Sequence, residues 1–459
     1  ITQAPGGFSD LRNMAPAVGP ASPCQPMEAE ISSVENGVIV DVGHLVGTSP
    51  HLGCCRLVMR RARRPLAAVF GVMICTMLVY LAWPSVHTRL SSIDNVLERI
   101  SLADVDPKAV CNDGRPAAYY RKLRGDSRAW FIFLEGGGWC WDNESCAGRE
   151  ERHMSDASLG ARMVVSEGIM AAGSPVGDFN IVYLPHCSSD AHMGDIDAEH
   201  NEVGWPFRGA RILRAAIRHA AAIGGLEVGD LVVFGGVSAG GRGAMVHIDA
   251  LVPSGVLPEG VRLLGYFDSP YYIEMRPFGG LDDAAHNLRV QTQTVVKLMR
   301  NEHVIGVGGA CPLREAWQCA FGEHRMPLLQ TPFLIVTSMY DWYQLKVAQG
   351  AECCPFPEPR DHFLRWADEF ANRTRAELLR LPQVRSGQSG LLSTTCYDHA
   401  LSNWANFAME TTLGVSMQDA LSQTILSFSK HDGTPMPKIV DTCTHFHCGL
   451  GCSKRLTPP

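Results

Sequence analysis

The sequence predicts an α/β protein in which helices cover both faces of a mostly parallel β-sheet. Three observations predict this fold class: short apolar runs alternate with amphipathic stretches from about residue 106, one apolar run leads into a glycine-flanked serine, and no internal repeat or clear linker divides residues 106–459. Strands that alternate with helices form parallel sheets that are covered on both faces. The chemistry of such a sheet lies at the carboxyl ends of its strands.

Five short apolar runs predict buried strands of this sheet. They lie at residues 130–134, 181–184, 231–234, 263–267 and 333–337. An amphipathic helix is predicted at 207–223, because the apolar residues there recur on one helical face and the arginines on the other. This order of strands and helices indicates one catalytic domain.

The strand at 231–234 leads into the sequence GVSAG at residues 236–240, and residues 243–248 begin a predicted helix. Strand, sharp turn and helix are the context of a nucleophile elbow, in which a strained serine lifts its hydroxyl clear of the sheet. In a glycine-rich chain the bare pattern also arises by chance, so the alternative is a turn with a structural serine. The flanking strand and helix favour Ser238 as a nucleophile and a sheet of the α/β-hydrolase type.

A serine nucleophile requires a histidine base and a carboxylate that orients it, and on α/β-hydrolase sheets the acid and then the histidine follow the serine along the chain. Asp341 comes shortly after the predicted strand at 333–337, and Asp268 comes directly after the strand at 263–267. Either carboxylate could instead cap a helix or bind a loop. Position favours Asp341 as the acid and leaves Asp268 as its rival.

The histidines downstream of these acids are His362, His399, His431, His445 and His447. His399 lies in a polar turn that precedes an apolar stretch. A lone histidine is more often a surface or capping residue than a catalytic one. Position alone therefore leaves the base open among these histidines.

A site for the reaction's oxyanion is predicted after the strand at 130–134, where the sequence EGGGWC occupies residues 135–140. Acyl transfer needs donors for the developing negative charge, usually the amide after the nucleophile and amides of a glycine-rich loop. We expect the amides of Gly137, Gly138 and Ala239 to fill this role. The alternative for residues 135–140 is an ordinary glycine turn.

Composition and charge narrow the classes of function. Of the 459 residues, 46% are hydrophobic and 19% are charged, which indicates a globular protein with a sizeable core. The formal net charge of -7 gives no indication of nucleic-acid binding. Serine esterase chemistry requires neither a metal nor an organic cofactor, and none is expected.

The N-terminal part of the chain predicts a membrane anchor. Residues 1–64 are predicted to form a disordered cytoplasmic tail that ends in an arginine-rich block, and residues 65–84 contain an uncharged apolar run that would span about 27 Å as a helix. Arginines before the run predict a type II orientation, with a stem at 85–105 and a lumenal or extracellular hydrolase domain at 106–459. The alternatives are a cleaved signal peptide, which would give a secreted protein, and a buried core helix.

Cysteine usage predicts an oxidising compartment. Twelve of the 16 cysteines lie beyond the predicted anchor and permit up to six disulfides, whose pairing the sequence leaves open. Cysteines and histidines crowd together at 443–452, but their spacing fits no usual zinc finger, so disulfides are the favoured interpretation there. Asn143 and Asn372 begin possible glycosylation sequons on the same side of the anchor.

Several of these segments resemble the pectin acetylesterase / Notum family of carboxylesterases. The sequence LEGGGWC at residues 134–140 matches the family's glycine-rich signature, and SAGG at 238–241 matches its nucleophile segment. Residues 338–344 are similar to the family's acid segment, and Cys396 with His399 resembles the segment that carries its histidine. The resemblance extends over about 300 residues of the chain.

The resemblance implies that Ser238, His399 and Asp341 form a catalytic triad that removes O-acetyl groups from a polysaccharide. A Notum-like carboxylesterase that cleaves a fatty acyl ester from a protein is the alternative, and a non-catalytic binding protein on a hydrolase scaffold is a third interpretation. Two features bear on the choice of substrate. Residues 187–190 look more like the Notum version of that segment, and Arg242 matches neither branch of the family.

Overall fold

The computed structural model describes residues 96–452 apart from residues 157, 279, 281, 301–314, 350–360, 431 and 447. The predicted tail (1–64) and the predicted anchor (65–84) lie outside the described residues. Within the described part of the chain, no helix combines the length and the apolar character that crossing a membrane requires.

The described residues form twelve strands and ten α-helical segments. The strands are β1 (Val96–Ser101), β2 (Ala118–Lys122), β3 (Ala129–Leu134), β4 (Arg162–Val164), β5 (Asn180–Leu184), β6 (Leu231–Val237), β7 (Arg262–Asp268), β8 (Phe333–Ser338), β9 (Gly390–Thr394), β10 (Thr411–Thr412), β11 (Val415–Ser416) and β12 (Lys438–Val440). The helices are α1 (Asn143–Ala147), α2 (Gly209–Gly224), α3 (Ala239–His247), α4 (Leu288–Met299), α5 (Gly322–Arg325), α6 (Trp342–Gln349), α7 (Asp361–Arg380), α8 (Pro382–Arg385), α9 (Asn406–Met409) and α10 (Met417–Lys430).

Ten of the strands form one sheet in the order β12-β9-β8-β7-β6-β3-β5-β2-β1-β4. The seven strands from β12 to β5 are parallel, and β2, β1 and β4 continue the sheet as antiparallel strands. The prediction of a mostly parallel sheet with flanking helices is therefore confirmed. β6 lies between β3 and β7, and all seven of its residues are buried. A residue at the carboxyl end of β6 is thus surrounded by the ends of other parallel strands.

Successive residues of the central strands face opposite sides of the sheet. In β3, Trp130 and Ile132 belong to the hydrophobic core on one side, whereas Phe131 and Phe133 belong to the core on the other. Helices α2 and α7 contribute side chains to the first core, and α10 contributes to the second. Because both faces are covered, the central strands are continuous apolar runs, which is why the sequence predicts them well.

The sheet begins upstream of the predicted start of the hydrolase domain. β1 lies within the segment 85–105, which the sequence predicts as a stem, and it pairs with β2 and β4. The domain therefore includes residues that the sequence assigns to the stem. Only Leu97 of the six residues in β1 is buried, so this antiparallel strand lacks the apolar run that marks the central strands.

Four disulfides join described cysteines: Cys111–Cys187, Cys140–Cys146, Cys396–Cys452 and Cys443–Cys448. Cys319 is disulfide-bonded as well. The crowded C-terminal cysteines are thus paired with each other or with Cys396, as the disulfide interpretation predicts.

Candidate active site

Ser238 occupies the turn between β6 and α3, with backbone angles φ of 54° and ψ of -119°. A positive φ is uncommon for a residue with a side chain and is typical of a nucleophile elbow. A Cβ atom on Gly240 would lie 2.1 Å from the carbonyl oxygen of Leu134, and one on Gly236 would lie 2.5 Å from the backbone of Gly240. Gly236 is therefore needed where β6 meets α3, and Gly240 is needed where α3 passes the end of β3.

A row of hydrogen bonds joins Ser238, His399 and Asp341. Ser238 Oγ lies 2.7 Å from His399 Nε2, and His399 Nδ1 lies 2.7 Å from Asp341 Oδ2. Asp341 is fully buried, while Ser238 and His399 are 8% and 6% exposed. A carboxylate that accepts the Nδ1 proton leaves Nε2 as the nitrogen that can accept the serine proton. Of the five histidines and two acids considered from the sequence, the structure brings His399 and Asp341 to Ser238.

The beginning of α6 orients both Asp341 and His399. The Oδ1 atom of Asp341 accepts a hydrogen bond from the amide of Gln344 at 3.0 Å. The Tyr343 ring stacks on the imidazole of His399 with 5.4 Å between the ring centroids, and the Trp342 ring packs edge-on against the same imidazole at 5.5 Å. The imidazole is thus held by packing on its ring as well as by hydrogen bonds at its nitrogens.

The rival acid, Asp268, has different partners. Its Oδ2 atom accepts hydrogen bonds from the amide of Ser402 at 2.7 Å and from the hydroxyl of Ser402 at 2.5 Å, and its Oδ1 atom accepts one from the hydroxyl of Ser269 at 2.7 Å. Burial raises the pKa of Asp268 above its usual value, and these hydrogen bonds act in the opposite direction. Asp268 therefore anchors the loop that follows His399, and it does not hydrogen-bond the imidazole.

The glycine-rich loop after β3 passes directly beside the serine. A Cβ atom on Gly136 would lie 3.1 Å from the Cβ atom of Ser238, and Gly137 and Gly138 have φ angles of 110° and 66° that favour glycine. Among the described residues, the amides of Gly137, Gly138 and Ala239 have no hydrogen-bond acceptor. These three amides are therefore not engaged as donors by any described group.

A family model described as pectinacetylesterase matches residues 95–452 of the chain. The chain belongs to the pectinacetylesterase family. This finding confirms the resemblance that the glycine-rich and nucleophile segments indicate. The matched range also begins just before β1, in agreement with the extent of the sheet.

The curated relatives of this family member include proteins named palmitoleoyl-protein carboxylesterase NOTUM. The Homo sapiens protein is 25% identical over 376 residues, which cover 76% of this chain and 72% of that protein. The Drosophila melanogaster protein is 30% identical over 274 residues, which cover 56% of this chain and 40% of that protein. The family and these relatives are carboxylesterases, which supports ester hydrolysis as the reaction.

A solved structure, that of the Wnt deacylase Notum from Drosophila, has the same fold as this family member. The TM-score is 0.64 at 24% sequence identity, and the match covers 78% of this chain and 99% of that chain. The likeness extends to the mostly parallel central sheet with its flanking helices.

Buried histidines support the glycine-rich loop of this family member, a feature that the sequence analysis missed. His192 Nε2 donates a hydrogen bond to the carbonyl of Glu135 at 2.9 Å. His186 Nε2 accepts from two backbone amides, so its proton is on Nδ1, which donates to the carbonyl of Gly136 at 3.1 Å. Burial lowers the pKa of His192 to about 4 and that of His186 well below 6.5, so both rings are neutral at pH 7.

The wall next to Ser238 is aromatic and positively charged, which the sequence analysis also did not predict. Burial raises the pKa of Tyr272 well above 10, while a hydrogen bond with Ser238 acts in the opposite direction. The guanidinium carbon of Arg242 lies 3.8 Å from the centroid of the Trp139 ring and 4.6 Å from that of Tyr272. A second arginine, Arg149, lies near the glycine-rich loop, and burial lowers its pKa to about 10.

Two of the other candidate histidines, His362 and His445, lie in the described part of the chain and do not join the row at Ser238. His362 stacks on a phenylalanine ring with 5.2 Å between centroids, and His445 is exposed. His431 and His447 lie outside the described residues. In the described part of the chain, the one group of three side chains that could together hold a metal ion is Asp197, Glu199 and His200, two of which are exposed.

Proposed function

We propose that this protein is a serine carboxylesterase that removes O-acetyl groups from a polysaccharide. The observation that carries the proposal is the row of hydrogen bonds from Ser238 Oγ to His399 Nε2 and from His399 Nδ1 to Asp341, each 2.7 Å long. A strained elbow serine that is linked to an imidazole and a buried carboxylate is the arrangement that acyl transfer requires. Membership of the pectinacetylesterase family supports an ester as the substrate.

In the proposed mechanism, Ser238 Oγ attacks the ester carbonyl while His399 Nε2 takes the hydroxyl proton. Asp341 keeps the imidazole in the required tautomer and stabilises the imidazolium that forms. His399 then gives the proton to the departing alcohol, which leaves an acyl group on Ser238. A water molecule, deprotonated by the same imidazole, attacks the acyl carbonyl and releases the acid.

The negative charge that develops on the carbonyl oxygen needs donors that are already in place. The amides of Gly137, Gly138 and Ala239 are proposed for this role because they have no acceptor among the described residues. Such preorganised donors stabilise the tetrahedral intermediate more than the ground state, and each typically contributes about 3 kcal/mol or somewhat more. The neutral histidines that hold the carbonyls of Glu135 and Gly136 keep this loop rigid.

Two other functions compete with this proposal. The names of the relatives favour a Notum-like carboxylesterase that cleaves a fatty acyl ester from a protein. A fatty acyl chain needs a deep apolar pocket, since each buried methylene contributes about 0.8 kcal/mol, and the charged wall beside Ser238 favours the acetyl substrate instead. A non-catalytic binding protein is the third candidate, and a complete row of serine, histidine and carboxylate argues against it.

The test is the dependence of hydrolysis on acyl length, with p-nitrophenyl acetate, butyrate and octanoate as substrates and acetate release from an O-acetylated polysaccharide as a second assay. We expect kcat/KM to be highest for acetyl esters and to fall by octanoyl. A steady rise with chain length would replace the proposal with the Notum-like alternative. Failure to hydrolyse any ester would favour the binding protein.

Ser238→Ala is the matched variant for this test. It removes one hydroxyl and should lower turnover by about 10⁴-fold or more, because the acyl-enzyme can no longer form. The melting temperature should change little, since the described hydrogen bonds of that hydroxyl are to side chains of the site itself, His399 and Tyr272. Activity of Ser238→Ala within about tenfold of the wild type would exclude Ser238 as the nucleophile.

The proposed location is the lumen of the secretory pathway or the cell exterior. Disulfides at Cys111–Cys187 and Cys140–Cys146 support an oxidising compartment, in which such bonds form and persist. Attachment to a membrane through residues 65–84 remains a proposal from the sequence. A secreted form is the alternative.

A further inference from the structure

Arg242 is buried one helical turn from Ser238. Its amide donates to the carbonyl of Ser238 at 2.9 Å, and its side chain is only 2% exposed. The guanidinium is fixed by hydrogen bonds to the carbonyl of Ala320 at 3.0 and 3.2 Å and to the hydroxyl of Thr292 at 3.0 Å. It also lies against the ring of Trp139 at 3.8 Å, so the Nε and Nη2 atoms are hydrogen-bonded and a flat face is stacked.

No described carboxylate forms an ion pair with this guanidinium, whose partners are neutral oxygens and aromatic rings. Burial lowers the pKa of Arg242 to about 10, and the side chain is therefore still charged at pH 7. A buried charge without an acid is costly, and stacking on two rings offsets only part of this cost. An ion pair therefore does not explain why a charge is placed beside the nucleophile.

The row of aromatic rings assigns Arg242 to the acyl side of the site. His399 gives its proton to the departing alcohol, so the alcohol part of the substrate lies next to the imidazole. Tyr343 stacks on His399 at 5.4 Å and on Tyr272 at 5.9 Å, and Arg242 lies beyond Tyr272 at 4.6 Å. Tyr343 and Tyr272 thus connect the imidazole to the guanidinium, so a substituent directed away from His399 along this row of rings would lead toward Arg242.

We propose that Arg242 closes the acyl pocket and restricts the enzyme to short acyl groups. A methyl group fits beside Ser238, whereas a longer chain would meet an immobilised guanidinium. To enter, the long acyl chain would have to displace the hydrogen-bond partners of the guanidinium, and otherwise it would stay exposed to water. Both outcomes are unfavourable. This inference rests on the proposed esterase function and identifies the residue that sets its acyl length.

The test compares Arg242→Met, Arg242→Ala and Arg242→Lys in the full chain. Met keeps the length of the side chain without its charge, and Ala removes both. The quantity compared is the ratio of kcat/KM for p-nitrophenyl octanoate to kcat/KM for p-nitrophenyl acetate. We expect this ratio to rise at least tenfold in Arg242→Met and Arg242→Ala, and to stay close to the wild-type ratio in Arg242→Lys. Melting curves establish that each variant is folded at the assay temperature.

Arg325→Met is the matched control, because Arg325 is also fully buried and binds carbonyls of α3. Its hydrogen bonds include those to the carbonyls of Met245 and Val246, at the opposite end of that helix from Ser238. The octanoate-to-acetate ratio should not change in this control. Folded Arg242→Met and Arg242→Ala variants with ratios within twofold of wild type would overturn the inference.

A second measurement separates this inference from the proposed esterase function. Octanamide, a neutral analogue of a long-chain ester, is titrated into Ser238→Ala and into the double variant that also carries Arg242→Met. We expect at least tenfold tighter binding to the double variant, and this result does not require turnover. Equal binding to both proteins would overturn the role of Arg242, whereas loss of all ester hydrolysis in the wild type would overturn only the esterase proposal.

Discussion

The carboxylate of Asp268 holds Ser402, three residues beyond His399, through both the amide and the hydroxyl of that serine. The main-chain carbonyl of Asp268 also accepts the amide hydrogen of Ser238 at 2.8 Å. One residue at the end of β7 is thus bonded to the elbow and to the histidine loop. Asp268 acts on the geometry of the row at Ser238, whereas Asp341 contacts the imidazole itself.

The two acids should differ when each is replaced by asparagine. Asp341→Asn should lower kcat by about 10³–10⁴-fold with little change in melting temperature, because the imidazolium loses its charged partner and the tautomer is reversed. Asp268→Asn should lower kcat less and should reduce the melting temperature, because a buried hydrogen-bonded anchor is disturbed. Steady-state kinetics and thermal melting of both variants provide the comparison.

The control for these variants is an exposed acid such as Asp432, which bonds only within its own turn, and Asp432→Asn should resemble the wild type in both measurements. A larger loss of kcat in Asp268→Asn than in Asp341→Asn would assign the role of the acid to Asp268.

Acid should destabilise the protein through its buried histidines. Burial lowers the pKa of His153 to about 3 and the pKa values of His192 and His247 to about 4, whereas an unfolded histidine titrates near 6.5. Between these values the unfolded chain binds protons that the folded chain does not bind. These histidines should therefore lower the free energy of unfolding as the pH drops from about 6.5 to 4, by about 1.4 kcal/mol per pH unit for each histidine. Asp190 and Asp398, whose pKa values burial raises to about 7 and about 8, act in the opposite direction.

His247→Gln tests this pH dependence at one site. His247 Nε2 donates to the carbonyl of His192 at 2.8 Å, and a glutamine amide can make the same bond without titrating. Chemical unfolding at several pH values should give a slope that is smaller by about 1.4 kcal/mol per pH unit in the variant. An unchanged slope would show that His247 is not a source of the acid sensitivity.

The disulfides should contribute unequally to stability. Cys111–Cys187 spans 76 residues, whereas Cys140–Cys146 spans 6. In the chain-entropy description, a bond that closes the longer loop restricts the unfolded chain more, by about 2 kcal/mol for these two lengths. Replacing both cysteines of each pair by alanine and measuring the free energy of unfolding gives the comparison, and an equal or reversed loss would contradict the entropic origin of the difference.

The predicted topology is tested in microsomes that contain the full chain. An epitope in residues 1–64 should be digested by added protease, whereas the hydrolase domain should be protected until detergent is added, because the arginine block favours a cytoplasmic tail. Digestion of the domain in intact microsomes would contradict the type II orientation. Protection of the domain without a digested tail fragment would favour a cleaved signal peptide.

Local patterns in the sequence were sufficient to predict five of the parallel strands, the elbow and the glycine-rich loop, but not β9. Strands that are buried on both faces are continuous apolar runs, so β3, β6 and β8 were predicted within a few residues of their bounds. Gly236, Ser238 and Gly240 lie within five consecutive residues, so the close approach of strand and helix at the elbow is encoded locally. β1 was not predicted because only one of its six residues is buried, so it is not a continuous apolar run.

The tertiary structure alone decided which distant residues meet. His399 contacts a serine 161 positions away. Asp268 ends β7 and Asp341 lies shortly after the neighbouring parallel strand β8, so sequence position could not reveal which carboxylate reaches the imidazole. The disulfide pairing and the surroundings of Arg242 were likewise decided by the tertiary structure. They arise from packing between elements far apart in the chain, and neither hydrophobic periodicity nor motif spacing records those contacts.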